Sequence, residues 1–166
     1  LNSELEAGCQ SFIICRTAQD IDLAIKENKV GILTTISGGR PLMGKPNLNL
    51  LSSLRSLYRM GLRGLQLTGN GRNRLGDGVA QNRSRGQLTT FGEKVVKEAD
   101  RLGLVIDTAQ LSDAGFYDLI SITKNPVIDS HSCAHAVCPH PRNIDDQRIK
   151  AIADRGGVIA VSFWAA

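Results

Sequence analysis

Short apolar runs, separated by stretches of helical periodicity and closed by glycine or polar turns, constrain this fold more than any other feature. The runs are Val30–Ile36 (VGILTTI), Leu65–Thr68, Leu104–Ile106, Pro126–Ile128 and Val158–Phe163. Between them, apolar residues recur at three and four positions. Asn47–Met60 carries Leu50, Leu51, Leu54, Leu57 and Tyr58, and Phe91–Leu102 carries Val95, Val96, Ala99 and Leu102. Ser112–Thr123 and Asp145–Arg155 read the same way, with Ser112 as a cap. Ahead of them, Ser11–Cys15 reads as a short strand and Ala18–Asn28 as a helix capped by Thr17. VGILTTI is apolar on both faces, as a parallel strand covered on each side must be, and Gly38-Gly39 ends it. No hairpin signal joins any two strands. The pattern predicts an α/β fold in which helices cross over between about five parallel strands.

This order places chemistry at strand ends. Ser37, Gly69, Gln110 and His131 each follow a different predicted strand. Parallel α/β enzymes assemble their sites from the C-terminal ends of several strands. Residues 69–86 form a long polar loop, the kind that is functional or mobile in a compact domain.

Asn125–Asn143 (NPVIDSHSCAHAVCPHPRN) holds all three histidines and two of the four cysteines. One reading is a local zinc site of His131, Cys133, His135 and Cys138, with His131 and His135 four apart on a helical face. Another is a satisfied strand-end histidine with incidental neighbours. Arg142 reads either as a loop residue pairing with Asp145 or Asp146 or as a fork for a substrate carboxylate. The spacings of Cys9, Cys15, Cys133 and Cys138 match no zinc-ribbon knuckle, and free, mostly buried thiols are expected.

Composition narrows the function classes. The 166 residues are 42% hydrophobic and 22% charged, enough for one domain spanning residues 1–166. The net charge of +4 is uneven: Arg40 to Arg85 carries nine basic residues against Asp77 alone. Aromatics make up only 4% and do not interleave with that stretch, so a solvated, partly ion-paired face is expected and not a nucleic-acid surface. No run approaches the roughly 18 apolar residues that cross a bilayer, and no signal-peptide pattern opens the chain. A soluble, cytoplasmic chain is the expectation. The first residue is Leu, and the last strand ends close to the C-terminus, which reads as a fragment or processed product.

Several motifs in register resemble the membrane dipeptidase family of metallopeptidases. They are LRSLYRMGLRGLQLT (Leu54–Thr68), NGRNRLGDG (Asn70–Gly78), LTTFGEKVVKEADRLGLVID (Leu88–Asp107), PVIDSHS (Pro126–Ser132), HPRNIDDQ (His140–Gln147) and the GGVIAVSF run ending at Phe163. The resemblance implies a TIM-like (β/α) barrel, of which this chain is a central-to-late portion, with two zinc ions at its C-terminal face. It implies hydrolysis of dipeptides, D-residue and β-lactam-like substrates included, by a metal-bound hydroxide.

Carried over by position, the resemblance makes His131 a zinc ligand and Arg142 the substrate-carboxylate arginine. It places Ser37 where the family has a bridging glutamate, Gly69 where a substrate-contacting histidine or tyrosine stands, and Gln110 where a second histidine ligand stands. An early His-x-Asp pair would precede Leu1, and a late acidic residue would follow Ala166. The expectation is a zinc dipeptidase relative with an impaired site. The alternative is a non-catalytic relative that binds a dipeptide or another small carboxylate. Unpaired sheet edges lead us to expect a homodimer as well.

Overall fold

The computed structural model describes residues 11–42 and 50–163. Seven strands and five α-helices alternate along them. β1 (Phe12–Ile14) is followed by α1 (Ala18–Lys26), whose N-terminus is closed by a capping box: Thr17 accepts from the Asp20 amide while Asp20 accepts from the Thr17 amide. β2 (Val30–Ile32) and β3 (Thr34–Ile36) come next. The run read as one strand therefore breaks at Leu33. The break has a tertiary cause: β2 pairs with β1 while β3 pairs with β4. A single apolar run thus serves two neighbours in succession.

α2 (Leu50–Arg59) leads into β4 (Leu62–Gln66), which starts three residues earlier than LQLT suggested. The start expected for α2, residues 47–49, lies outside the described residues. α3 (Thr90–Leu102) is capped by Thr89 and ends on Gly103 at φ 72°. β5 (Val105–Asp107), α4 (Asp113–Ile122, capped by Ser112), β6 (Val127–Ser132), α5 (Asp146–Ala153, capped by Asp145) and β7 (Val158–Val161) complete the order.

All pairings between these strands are parallel, and β3 to β7 form one sheet in sequence order. The expected α/β architecture of about five parallel strand–helix units, a partial TIM-like barrel, is what the chain adopts. Period-two alternation sorts the strand residues between two faces. Leu65, Ile106 and Val127 turn to the helices and pack with Leu54, Val95, Val96, Ala99, Phe116, Leu119 and Ile152, all buried. Thr35, Gly64, Gln66, Val105, Asp107, Ile128 and Ser130 turn the other way and line a cavity of about 260 Å³.

Residues 69–86 are anchored by Asp77, which is 3% exposed. Its carboxylate accepts from Arg72 and from Ser84 Oγ at 2.8 Å, and the Arg72 guanidinium beside it holds it below its ordinary pKa. Its carbonyl accepts from the Ser112 amide at 3.0 Å, which ties the loop to the start of α4. The polar loop therefore has a buried organising centre. Arg55 similarly reaches Glu98 at 2.6 Å, and Arg63 stacks on Tyr58 while donating to three carbonyls. These arginines bear out the partly paired reading of the basic stretch. Among the described residues, no helix is long and apolar enough to cross a membrane.

Candidate functional site

β6 runs four residues past Ile128 and takes in His131, because Asp129 and Ser132 pair with β7. His131 is therefore a strand residue, and the helical face expected for His131 and His135 does not form. Its ring is held at both nitrogens. Ser130 Oγ lies 2.6 Å from Nδ1, and Gln110 Nε2 lies 2.7 Å from Nε2. Ser130 Oγ also donates to Asp107 Oδ2. A hydroxyl has one proton, so Ser130 accepts from His131 Nδ1–H. Nε2 of the neutral ring is then an acceptor, and the Gln110 amide N–H fills it.

Asp107 is held in turn, accepting from the amides of Ala109 at 3.0 Å and Ser130 at 3.1 Å. Asp129 points to the other face. It is buried and accepts from the His131 amide, and burial pushes its carboxyl above the ordinary value.

Gln110 reaches His131 from a left-handed backbone at φ 64°. Its carbonyl fixes that turn by accepting from Val79 N at 2.9 Å and Thr68 Oγ1 at 3.3 Å. A Cβ on Gly69 would stand 3.7 Å from Gln110 Oε1, so Gly69 borders the amide. On the neighbouring strand end, Ser37 Oγ donates to Gln66 Oε1 at 2.6 Å, and Gln66 Nε2 donates to Ala109 O at 2.8 Å. Ser37, Gly69, Gln110 and His131, drawn from four strand ends, thus meet at one end of the sheet. Gln66, Asp107 and Ser130 join them. Gln66 shares the inward parity of Gly64 in LRGLQLT, which marks it as a polar residue on the cavity face.

The rest of the histidine-rich segment turns away. His135 Nδ1 donates to His140 O at 3.2 Å, and His140 Nδ1 accepts from the Arg142 amide at 3.2 Å. Asn143 braces this loop by bonding Cys133 N at 3.2 Å and Cys138 O at 2.8 Å. Arg142 is half-buried and is not among the residues that line the cavity. The partner of Asp113 on this side is Arg148, at 3.0 Å. Of the cysteines described, Cys15 is buried, Cys133 half-buried and Cys138 exposed, so only one of these three is a buried thiol; Cys9 lies outside the described residues.

Among the described residues, no three His, Cys, Asp or Glu side chains converge where a metal ion could sit. The groups that do meet are one imidazole (His131), the amides of Gln66 and Gln110, the hydroxyls of Ser37 and Ser130, and the Asp107 carboxylate. Among the described residues, one imidazole and one carboxylate, the latter already bonded to Ser130, do not fit a two-zinc centre, which needs several imidazoles and bridging anionic oxygens.

Comparison with known proteins accords with this architecture. Residues 3–166 match the model of a family described as membrane dipeptidase, peptidase family M19. A Klebsiella pneumoniae relative, an uncharacterized protein encoded in the pqqA 5' region, is 31% identical over 156 residues, which cover 90% of this chain and 55% of that one. An amidohydrolase from Pseudomonas aeruginosa superposes with a TM-score of 0.85 at 27% identity, over 96% of this chain and 47% of its own. A metallo peptidase from Rhodobacter sphaeroides, solved with a phosphinate mimic of the dipeptide L-Ala-D-Ala, gives 0.81 at 25%, over 96% and 45%. The chain spans about half the length of the relatives it matches. With that match running through nearly all of its residues, the chain belongs to the membrane dipeptidase family of metallopeptidases.

Proposed function

We propose that this chain keeps the dipeptidase scaffold of its family and binds a dipeptide or a similar small carboxylate ligand, but does not hydrolyse it through a two-zinc hydroxide. One observation carries the reading: the polar side chains at the sheet's C-terminal end are spent on one another. Ser37 gives its proton to Gln66, and the Gln110 amide sits on His131 Nε2. Serine lacks the anionic oxygen that would bridge two zinc ions, a neutral amide is a poor ligand beside imidazole, and Gly69 offers no side chain. His131 is the one imidazole of the set. The dipeptide mimic held by the Rhodobacter sphaeroides neighbour supports the ligand class. Arg142, whose planar fork suits a carboxylate, does not line this cavity and is assigned to the ligand's acid group on the family resemblance. The chain acts as a single domain, and as a homodimer.

A second reading, a zinc dipeptidase completed by residues beyond those described, has one observation in its favour. Asp107 and Ser130 orient the His131 ring through Nδ1 and leave Nε2 as the acceptor, the arrangement in which proteins hold metal-binding histidines. Hydrolysis of Gly-D-Ala by the purified chain, with and without added zinc, separates the two. No turnover in either condition is expected. Zinc-dependent turnover would establish the second reading and overturn the first.

A further inference from the structure

We infer that Gln110 closes His131 to metal ions and that Gly69 leaves the room in which it does so. The inference rests on the reading above, that the chain holds no two-zinc centre, and goes further by naming an internal ligand in the metal's place.

A histidine coordinates through a ring lone pair. In His131 the Nδ1 position carries the proton shared with Ser130, whose own proton goes to Asp107. The single remaining lone pair, on Nε2, accepts from Gln110 Nε2 at 2.7 Å. A cation could reach it only by displacing the amide and leaving that donor without a partner.

The backbone that presents the amide is fixed. Gln110 holds a left-handed backbone at φ 64°, which a non-glycine residue adopts only under constraint, and its carbonyl is pinned by Val79 N and Thr68 Oγ1. A side chain longer than a methyl at position 69 would compete for the space of Gln110 Oε1, since a Cβ there would already touch it at 3.7 Å. Glycine at 69 and glutamine at 110 are therefore matched to each other. The result is a neutral, hydrogen-bonded imidazole–amide pair that excludes divalent cations from the one imidazole at the site.

Nitrogen-15 NMR of the imidazole resonances, with His131 assigned by a His131→Gln variant, tests this during titration with zinc chloride to millimolar concentration. In the wild-type chain the His131 Nε2 resonance stays in place. In Gln110→Gly, which suits the left-handed backbone, it moves or broadens. In Gln110→Glu, which puts a carboxylate beside the ring, it does so at roughly tenfold less zinc than in the glycine variant. The inference is overturned if wild-type His131 responds at the same zinc concentration as Gln110→Gly, or if neither variant responds. The second outcome, with a wild-type chain that stays inactive on Gly-D-Ala, removes the role of Gln110 and leaves the loss of hydrolysis standing. Turnover by the wild-type chain with zinc bound at His131 would remove both.

Discussion

Gly86 lies directly against the buried carboxylate of Asp77: a Cβ on Gly86 would come within 2.5 Å of Asp77 Cγ. Asp77 cannot yield, because Arg72 and Ser84 hold its two oxygens while Ser112 holds its carbonyl. That same loop delivers the Val79 amide to the Gln110 carbonyl, so the packing at Gly86 reaches the candidate site. Gly86→Ala is expected to cost about 2–3 kcal/mol of stability, as overpacking against a fixed neighbour does. Urea unfolding measures it, and an unchanged midpoint would mean that the loop is not held as described.

Glu98 should make stability depend on acid. Its side chain is 9% exposed and accepts from Arg101 and Arg55, and these bonds push its pKa down from 4.5 to about 2. For a depressed carboxylate, the stabilisation is complete above the unfolded value and is lost as pH falls through the folded one. The window is therefore pH 4.5 down to about 2. Both arginines are largely solvated, so screening limits the contribution to about 1–2 kcal/mol. Wild-type chain should exceed Glu98→Gln by that amount at neutral pH in urea unfolding, and the difference should vanish towards pH 2. A constant difference across the range would exclude the Arg–Glu–Arg cluster as its source.

Much of this architecture was legible in the chain because its signals are local. Thr17 and Ser112 cap helices as read from the sequence, whereas the caps Thr89 and Asp145 emerge only in the structure. What was not legible depends on partners distant in sequence. VGILTTI reads as one strand, and only its change of neighbour from β1 to β4 divides it. The apolar run marks a strand only as far as Ile128, with His131 at its end, yet the polar Asp129, Ser130 and His131 extend β6 since β7 and Asp107 satisfy them. The convergence of Ser37, Gly69, Gln110 and His131 followed from strand order. The filling of His131 Nε2 by an amide did not, because no spacing rule encodes which way a glutamine at φ 64° points.

The terminal strand of the sheet should mediate self-association. Among the described residues β7 pairs with β6 alone and presents Val158 and Val161 at 64% and 66% exposure, with Phe163 fully exposed just after it. An uncovered apolar edge is a template for pairing. Sedimentation velocity is expected to show a coefficient that rises with concentration, and Val161→Lys should suppress the rise. A concentration-independent monomer in the wild-type chain would contradict this and the proposed homodimer.

On the proposed function, the side chains gathered at the C-terminal end of this sheet hold no two-zinc centre. Mass-spectrometric zinc analysis of the chain, purified with zinc present and then dialysed, decides this. Less than one tightly held zinc per chain is expected, with Gln110 remaining on His131. Two zinc ions per chain, retained through dialysis and lost together in His131→Gln, would contradict it.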